Sequence, residues 1–195
     1  MKKYGVVLVS LISMVAISGC SGSTAYLKDG AKALEKGKYS EAVDCFDKMI
    51  EIESEKEPES EKKNKIWSNN MSEAYKGLGI AYFETKDYEK ALEAYLESIK
   101  LEGEKSASMY RNIAVCAKET GNTTMAEEYA KKGVELLNDS KEENTELKKD
   151  MYIILIESFE ADGNYKEALN WAYEYDEAFP GDKDIEKEIK FLKTR

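Results

Sequence analysis

A short pattern recurs four times along this chain and constrains what it can fold into more than any other feature. Each copy is a six-residue block that ends in alanine, with a tyrosine eleven residues before the first residue of the block. The tyrosines are Tyr26, Tyr75, Tyr110 and Tyr152, and the blocks begin at Gly37, Lys86, Gly121 and Gly163. Because self-similarity at a fixed period is the signature of stacked units, the pattern predicts one structural unit repeated along the chain.

Each unit is expected to be a pair of helices joined by a turn. Apolar or small residues recur at helical spacing in the first helix of the second unit, namely at Tyr75, Leu78, Gly79 and Tyr82. Such a stripe buries one face of a helix. A single helix pair cannot bury its own stripe, so neighbouring pairs must stack into a solenoid. An ordinary helical bundle is the alternative, and it explains the stripes but not the recurring register.

The same residues resemble the tetratricopeptide repeat, a helix–turn–helix unit of 34 residues. The resemblance covers residues 23–182 and divides them into the units 23–56, 72–105, 107–140 and 149–182. It implies an all-α fold, an α-solenoid of about four repeats, closed by a capping helix over residues 183–195. The units depart from the family pattern at Asp29, Thr123 and Ile156. The insertions 57–71 and 141–148 keep helical spacing, so we expect each to lengthen the helix that follows it.

Residues 1–19 are predicted to be a secretory signal peptide. A cationic start precedes an apolar run over residues 4–17, which is too short to span a bilayer comfortably. Ile17-Ser18-Gly19-Cys20 resembles the bacterial lipobox. The resemblance implies cleavage between Gly19 and Cys20, a lipid on the Cys20 thiol and a tether over residues 20–22. It places the protein on the extracytoplasmic face of the cell membrane, or on the outer membrane of a two-membrane bacterium. A buried N-terminal helix is the alternative.

The composition argues against several classes of function. With no histidine, the chain has no imidazole base and no histidine-ligated metal. A net charge of −10 argues against a nucleic-acid partner. The carboxylates are scattered among lysines without the spacing of a calcium loop or a catalytic pair. We therefore predict no enzymatic activity, no metal and no cofactor. Cys45 and Cys116 lie two units apart and are predicted not to form a disulfide.

The resemblance also identifies candidate binding residues, because the family leaves the concave face of the first helix of each unit variable. By register the predicted groove consists of Lys76, Ile80, Phe83, Arg111, Asn112, Val115, Lys118, Ile153 and Glu157. Its cations stand out on an acidic chain and favour a partner with an acidic group. The predicted function is a lipid-anchored scaffold or assembly factor of the cell envelope that binds an extended peptide or a protein. A structural lipoprotein that self-associates is the alternative.

Overall fold

The computed structural model describes residues 22–55, 61–101, 103, 105–139 and 144–195. The regular elements in these ranges are helices: α1 Ser23–Glu35, α2 Tyr39–Ser54, α3 Glu61–Glu84, α4 Tyr88–Lys100, α5 Ala107–Glu119, α6 Thr123–Asp139, α7 Thr145–Ala161, α8 Tyr165–Ala178 and α9 Lys183–Leu192. None of these described helices has the length and apolar character to cross a membrane. The predicted signal peptide and Cys20 lie outside the described residues.

The helices form four pairs and one closing helix. Within the pairs α1 packs on α2, α3 on α4, α5 on α6 and α7 on α8. The second helix of each of the first three pairs also packs against the first helix of the next pair, and α9 packs on α8. This arrangement confirms the predicted all-α solenoid of about four tetratricopeptide-like pairs with a C-terminal capping helix. The unit boundaries stay a prediction.

The turn inside each pair has the same backbone geometry. The first residue of each six-residue block has a positive φ, 66° at Gly37, 62° at Lys86, 79° at Gly121 and 71° at Gly163. In all four turns the next residue donates its N–H to a carbonyl of the preceding helix, over 2.8–2.9 Å. This hydrogen bond closes the end of the helix around a left-handed residue. The recurring glycine is therefore a conformational requirement, which Lys86 meets at a cost.

The two insertions lengthen the helices that follow them, as expected. Helix α3 begins at Glu61 and α7 at Thr145, each ahead of the tyrosine that marks its unit. Asn144 caps α7, because its side-chain oxygen accepts the N–H of Leu147 at 3.1 Å. The cap satisfies one of the N–H groups that the first turn of a helix leaves free.

A large side chain on the second helix of a pair holds successive pairs together. Phe46 on α2 is 2% exposed and lies between α1 and α3. A Cβ atom built on Gly30 or Gly77 would come within 2.7 or 2.3 Å of its ring. Tyr95 is the equivalent residue on α4, and a Cβ atom on Gly79 would approach it to 2.6 Å. Only glycine at these positions lets the helices pack this closely.

The four recurring tyrosines face equivalent positions on the second helix of their own pairs. Tyr110 stacks near Tyr129 and Tyr152 near Trp171, with ring centroids 5.9 Å apart in both cases. Tyr75 shares a cavity with Ala94, and Tyr26 shares one with Cys45. The repeated register of the sequence is therefore a repeated set of contacts.

The buried side chains form two clusters rather than one continuous core. One cluster lies among α1, α2, α3 and α4, and the larger one extends from α4 to α9. Helix α4 contributes buried residues to both: Ala94 to the first, and Ala91 with Tyr95 to the second. Helices α3 and α5 touch only slightly. The two clusters therefore meet at α4, and the second pair contacts the third mainly through α4.

Replacing Lys86 by glycine is expected to stabilise the protein. A left-handed conformation costs a residue with a Cβ atom about 1–2 kcal/mol relative to glycine. Part of that gain is lost because glycine is more flexible in the unfolded chain. We expect Lys86→Gly to raise the free energy of unfolding by about 1 kcal/mol, measured by urea denaturation.

The reciprocal change is the control. Gly163 has a similar φ, and a Cβ atom there would meet nothing within 4 Å. Gly163→Lys is therefore expected to lower the free energy of unfolding by about 1 kcal/mol, through backbone strain alone. A loss of stability in Lys86→Gly would contradict this account of the turn.

Candidate binding groove

The predicted groove residues lie on the first helices of the second, third and fourth pairs. Helix α3 carries Lys76, Ile80 and Phe83, helix α5 carries Arg111, Asn112, Val115 and Lys118, and helix α7 carries Ile153 and Glu157. Glu157 is exposed and the others are half-buried. Half-burial suits side chains on the wall of a concave surface. This inner face of α3, α5 and α7 is called the groove below.

An apolar section of the groove lies where α3 meets α5. Ile80, Phe83 and Val115 pack against the larger core cluster but stay partly accessible. The Phe83 ring meets Tyr88 edge to face, with centroids 5.9 Å apart. The Arg111 guanidinium lies over the Phe83 ring, 5.8 Å from its centroid. Partly accessible aliphatic and aromatic side chains of this kind are what a bound segment could cover.

Two ion pairs cross the groove from the third pair to the fourth. Arg111 donates to Asp150 Oδ2 from Nη2 at 2.9 Å and from Nε at 3.2 Å. Lys118 Nζ lies 2.5 Å from Glu157 Oε2. In both pairs the partners are 39 positions apart in the sequence. Because the carboxylates are about half exposed, each pair is worth no more than about 1 kcal/mol. Their main effect is to neutralise the groove cations.

Lys76 is also paired, with Glu73 one turn earlier on α3, at 2.6 Å. Each of the three predicted groove cations thus has a carboxylate partner, and the expected excess of positive charge is wrong. The register predicts which positions of each helix face the groove, but it does not show which residues of the next helix reach across to them. Asp150 was missed, although its separation from Arg111 matches that of Glu157 from Lys118 and signals the pairing.

Asn112 makes a contact between pairs. Its amide nitrogen donates to the Tyr95 hydroxyl at 3.0 Å, and its oxygen accepts from Arg111 Nη1 at 3.3 Å. Burial raises the pKa of Tyr95, so this hydroxyl stays protonated at all physiological pH values. Asn112 therefore positions α5 against α4, and its polar atoms are already used.

Beyond Glu157 the groove leads into a cleft of about 370 Å³ between α7 and α9. Its lining residues are Ile153, Ile156, Glu157, Glu160, Tyr175, Asp182, Asp184, Ile185 and Glu188. Three isoleucines contribute apolar surface, and five carboxyl groups surround it. The cleft is called the acidic cleft below. Glu188 was not expected at the groove, because it belongs to the capping helix rather than to a repeat.

Two of the five carboxylates, Asp182 and Asp184, make contacts around the start of α9. Asp182 accepts the Tyr175 hydroxyl at 2.7 Å and the N–H of Asp184 at 3.1 Å, which caps α9. The carboxylate of Asp184 lies 2.8 Å from Lys187 Nζ. These contacts hold α9 in place.

Glu160 and Glu188 face each other across the acidic cleft. Burial, a hydrogen bond to Glu188 and the charges of Glu188 and Glu157 together raise the pKa of Glu160 to about 7, with burial the largest cause. Protonated Glu160 donates to Glu188, whereas two ionised carboxylates repel each other.

The described residues contain no group of three or more histidine, cysteine, aspartate or glutamate side chains arranged to hold a metal ion. Cys45 and Cys116 are both buried and carry free thiols. Burial raises the pKa of Cys116 to about 12, which keeps its thiol protonated and unreactive.

Glu188→Gln is expected to stabilise the protein above neutral pH. Folding raises the pKa of Glu160, so protonated Glu160 stabilises the folded state at low pH. That stabilisation is lost as the pH rises through about 7. The substitution removes the repulsion between the Glu160 and Glu188 carboxylates at pH 8. We expect a gain of about 1 kcal/mol at pH 8, a value already reduced for the solvent exposure of the pair, and none at pH 4.5.

The measurement is urea denaturation at both pH values. Glu186→Gln is the matched control, since Glu186 lies on the same helix, is exposed and does not line the acidic cleft. An equal gain in both variants, or a gain that does not depend on pH, would contradict the assigned repulsion.

Comparison with known proteins shows what this fold and groove are similar to. A family model described as "Tetratricopeptide repeat" matches residues 70–139. The chain is 29% identical over 151 residues to the photosystem I assembly protein Ycf3 of Rippkaea orientalis, which covers 75% of this chain and 71% of that protein.

Two solved structures share the fold. YrrB, described as a TPR protein with an unusual peptide-binding site, superposes with a TM-score of 0.67 at 17% identity, over 87% of this chain and 75% of YrrB. MamA superposes with a TM-score of 0.66 at 17% identity, over 87% of this chain and 80% of MamA. At this identity the two structures support the architecture alone.

Proposed function

Because this chain is a tetratricopeptide-repeat protein, we propose that it is a lipid-anchored scaffold of the bacterial cell envelope. In this role it binds an extended peptide or a segment of a partner protein in its groove and performs no catalysis of its own. It serves the assembly of an envelope complex.

The observation that carries this proposal is the partly accessible apolar section of the groove. Ile80 and Phe83 on α3 and Val115 on α5 are predicted to face the groove, and each is half-buried. Covering them removes apolar surface from water, at about 25 cal/mol per Å². The neighbouring ion pairs fix the side chains around this section, so a partner meets a preorganised surface.

The similar proteins support the role in binding and assembly. The relative from Rippkaea orientalis is a photosystem I assembly protein, and YrrB is described as having an unusual peptide-binding site. We infer the same class of activity for this chain, with a different partner and a different site of action.

The lipobox-like sequence ending at Cys20 supports the membrane anchor. Two or more acyl chains make a stable anchor where one is marginal, at about 0.8 kcal/mol per buried CH₂ group. Helix α1 begins at Ser23, a few residues after Cys20. Three residues span at most about 11 Å, so an anchored chain would hold its first helix pair close to the bilayer.

Ile80→Glu is expected to abolish partner binding. A carboxylate placed in the apolar section of the groove would lose its hydration whenever a partner covered it. The measurement is chemical crosslinking in native membranes followed by mass spectrometry, which compares the partner recovered with native protein and with the variant.

Leu136→Glu is the matched control, because Leu136 is an exposed aliphatic residue on α6, away from the groove. Equal recovery of the partner with native protein, Ile80→Glu and Leu136→Glu would exclude the groove as the binding site. Circular dichroism checks that both variants stay helical. Light scattering would reveal oligomers if self-association were the function instead.

Cys20→Ser is expected to release the protein from the membrane fraction and to prevent the incorporation of labelled palmitate. The control is Cys45→Ser, which removes a thiol of α2 and leaves the anchor intact. Membrane association of Cys20→Ser equal to that of the control would show that Cys20 is not the site of attachment.

A further inference from the structure

We propose that the segment bound in the groove is an amphipathic helix of the partner, which lies antiparallel to α3 in a trough between α1 and α3. The walls of the trough are Ala31 and Leu34 on α1, and Ile66 and Ile80 on α3. This inference rests on the proposed function and specifies the conformation and the direction of the bound segment. It begins from Ile66 in the insertion before the second unit, because that side chain is 52% exposed. Among the described residues no large hydrophobic side chain is more exposed.

Ile66 and Ile80 lie on one face of α3. They are fourteen positions apart in the sequence. This separation is close to four helical turns and corresponds to about 21 Å along the helix axis. Glu73, midway between them, is paired with Lys76 at 2.6 Å, so the face between the two isoleucines carries no net charge. The insertion therefore adds a second apolar contact to the face that carries the apolar section of the predicted groove.

Helix α1 supplies the other wall of the trough. Ala31 and Leu34 occupy on α1 the repeat positions that Ile80 and Phe83 occupy on α3, five and eight residues after the recurring tyrosine. Ala31 is exposed and Leu34 is half-buried, and α1 packs against α3. Two rows of partly accessible apolar side chains therefore follow the direction of the helix axes. A third helix can lay one apolar stripe over both rows.

The polar groups of the groove favour a helix over an extended segment. Covering an extended segment would take its backbone N–H and C=O groups away from water, and each would need a new partner. The groove side chains that could serve are already engaged, since Asn112 is bonded to Tyr95 and Arg111. Lys76 is likewise paired with Glu73. A helix satisfies its own backbone groups and asks only for apolar contact.

Charges at the two ends of the trough set the direction of the bound helix. Lys28 and Lys65 are exposed in the first two turns of α1 and α3, whereas Glu35 and Glu84 are the exposed last residues of these helices. Lys36, next to Glu35, lines the cavity between α1 and α2 instead. A helix is positive at its N-terminus and negative at its C-terminus. The antiparallel direction therefore places its C-terminus beside the lysines and its N-terminus beside the glutamates.

The length of the trough sets the length of the bound helix. From Ile66 to Glu84 the axis of α3 covers about 27 Å, at 1.5 Å per residue. The partner segment is therefore a helix of about eighteen residues, or five turns, with apolar residues along one stripe. Two of its apolar residues, about fourteen positions apart, face Ile66 and Ile80.

The test is photo-crosslinking in native membranes with full-length protein that carries p-benzoylphenylalanine in place of Ile66 in one variant and of Ile80 in another. Mass spectrometry identifies the partner residue attached in each. We expect both labels to attach to one partner at residues about fourteen positions apart, with the attachment from position 66 on the C-terminal side. An extended segment would cover the same distance with about six residues, at about 3.3 Å each. A parallel helix would reverse the order.

A substitution at Ile66 gives a second readout. With the label kept at position 80, Ile66→Glu is expected to lower the recovery of the partner at least fivefold, because binding would cover the new carboxylate. Ile66→Leu is the matched control and is expected to recover the partner like the native residue. Since the side chain at this position is exposed, both variants are expected to stay folded, and thermal unfolding checks it.

Attachments about six positions apart, attachments in the reverse order, or no attachment from position 66 would overturn the inference and leave the proposed groove function standing. Full recovery of the partner with Ile66→Glu would do the same. A label in place of Leu136, which is exposed on α6, is the control for non-specific attachment. No attachment from position 80 beyond that of this control would overturn both the inference and the proposed function.

Discussion

The structure depends on the close approach of the first helix of one pair to the second helix of the pair before it. Phe46 fills the space between α1 and α3, and it can do so because both helices present a glycine to its ring. Within the second pair, Tyr95 packs against Gly79 as Phe46 packs against Gly30 within the first. Since interiors are packed at the density of organic crystals, a single added methyl group at these crossings forces the helices apart. The curvature of the solenoid, and hence its groove, follows from these crossings.

The groove combines structural contacts with surface left available for a partner. The ion pairs from α5 to α7 and the hydrogen bond from Asn112 to Tyr95 use polar groups to hold neighbouring pairs in register. The apolar section is not used in this way. Glu160 and Glu188 face each other in the acidic cleft, where burial and the neighbouring carboxylates raise the pKa of Glu160.

Most of the fold could be predicted from the sequence, because the repeat reports on contacts that recur. Tyr75 and Gly79 in the second pair and Tyr152 in the fourth occupy positions set by the same repeat. Recognising one unit therefore locates the others. The left-handed turn at Lys86 could be predicted too, from the glycines that occupy the equivalent positions. The lipid anchor and the unit boundaries are not tested by the described residues and stay predictions.

The chemistry of the groove could be predicted only in part. The register predicts that Arg111 and Lys118 of α5 face the groove. Their charges are neutralised by Asp150 and Glu157 on α7. Helical periodicity within one segment does not show which side chains lie across an interface. Glu188 escaped notice because the capping helix follows no repeat pattern. Long-range pairing depends on the angle between stacked units, which local periodicity does not determine.

The division of the interior into two clusters has a mechanical consequence. The third and fourth pairs are bridged by the ion pairs of Arg111 and Lys118, whereas the second and third pairs meet mainly through α4 and α5, because α3 and α5 barely touch. A change in the bend of the solenoid is therefore cheapest at that joint, where the fewest buried contacts must be broken. Bending there would change the spacing between α3 and α5 beside Phe83, whereas the helices α5 to α9 would move together.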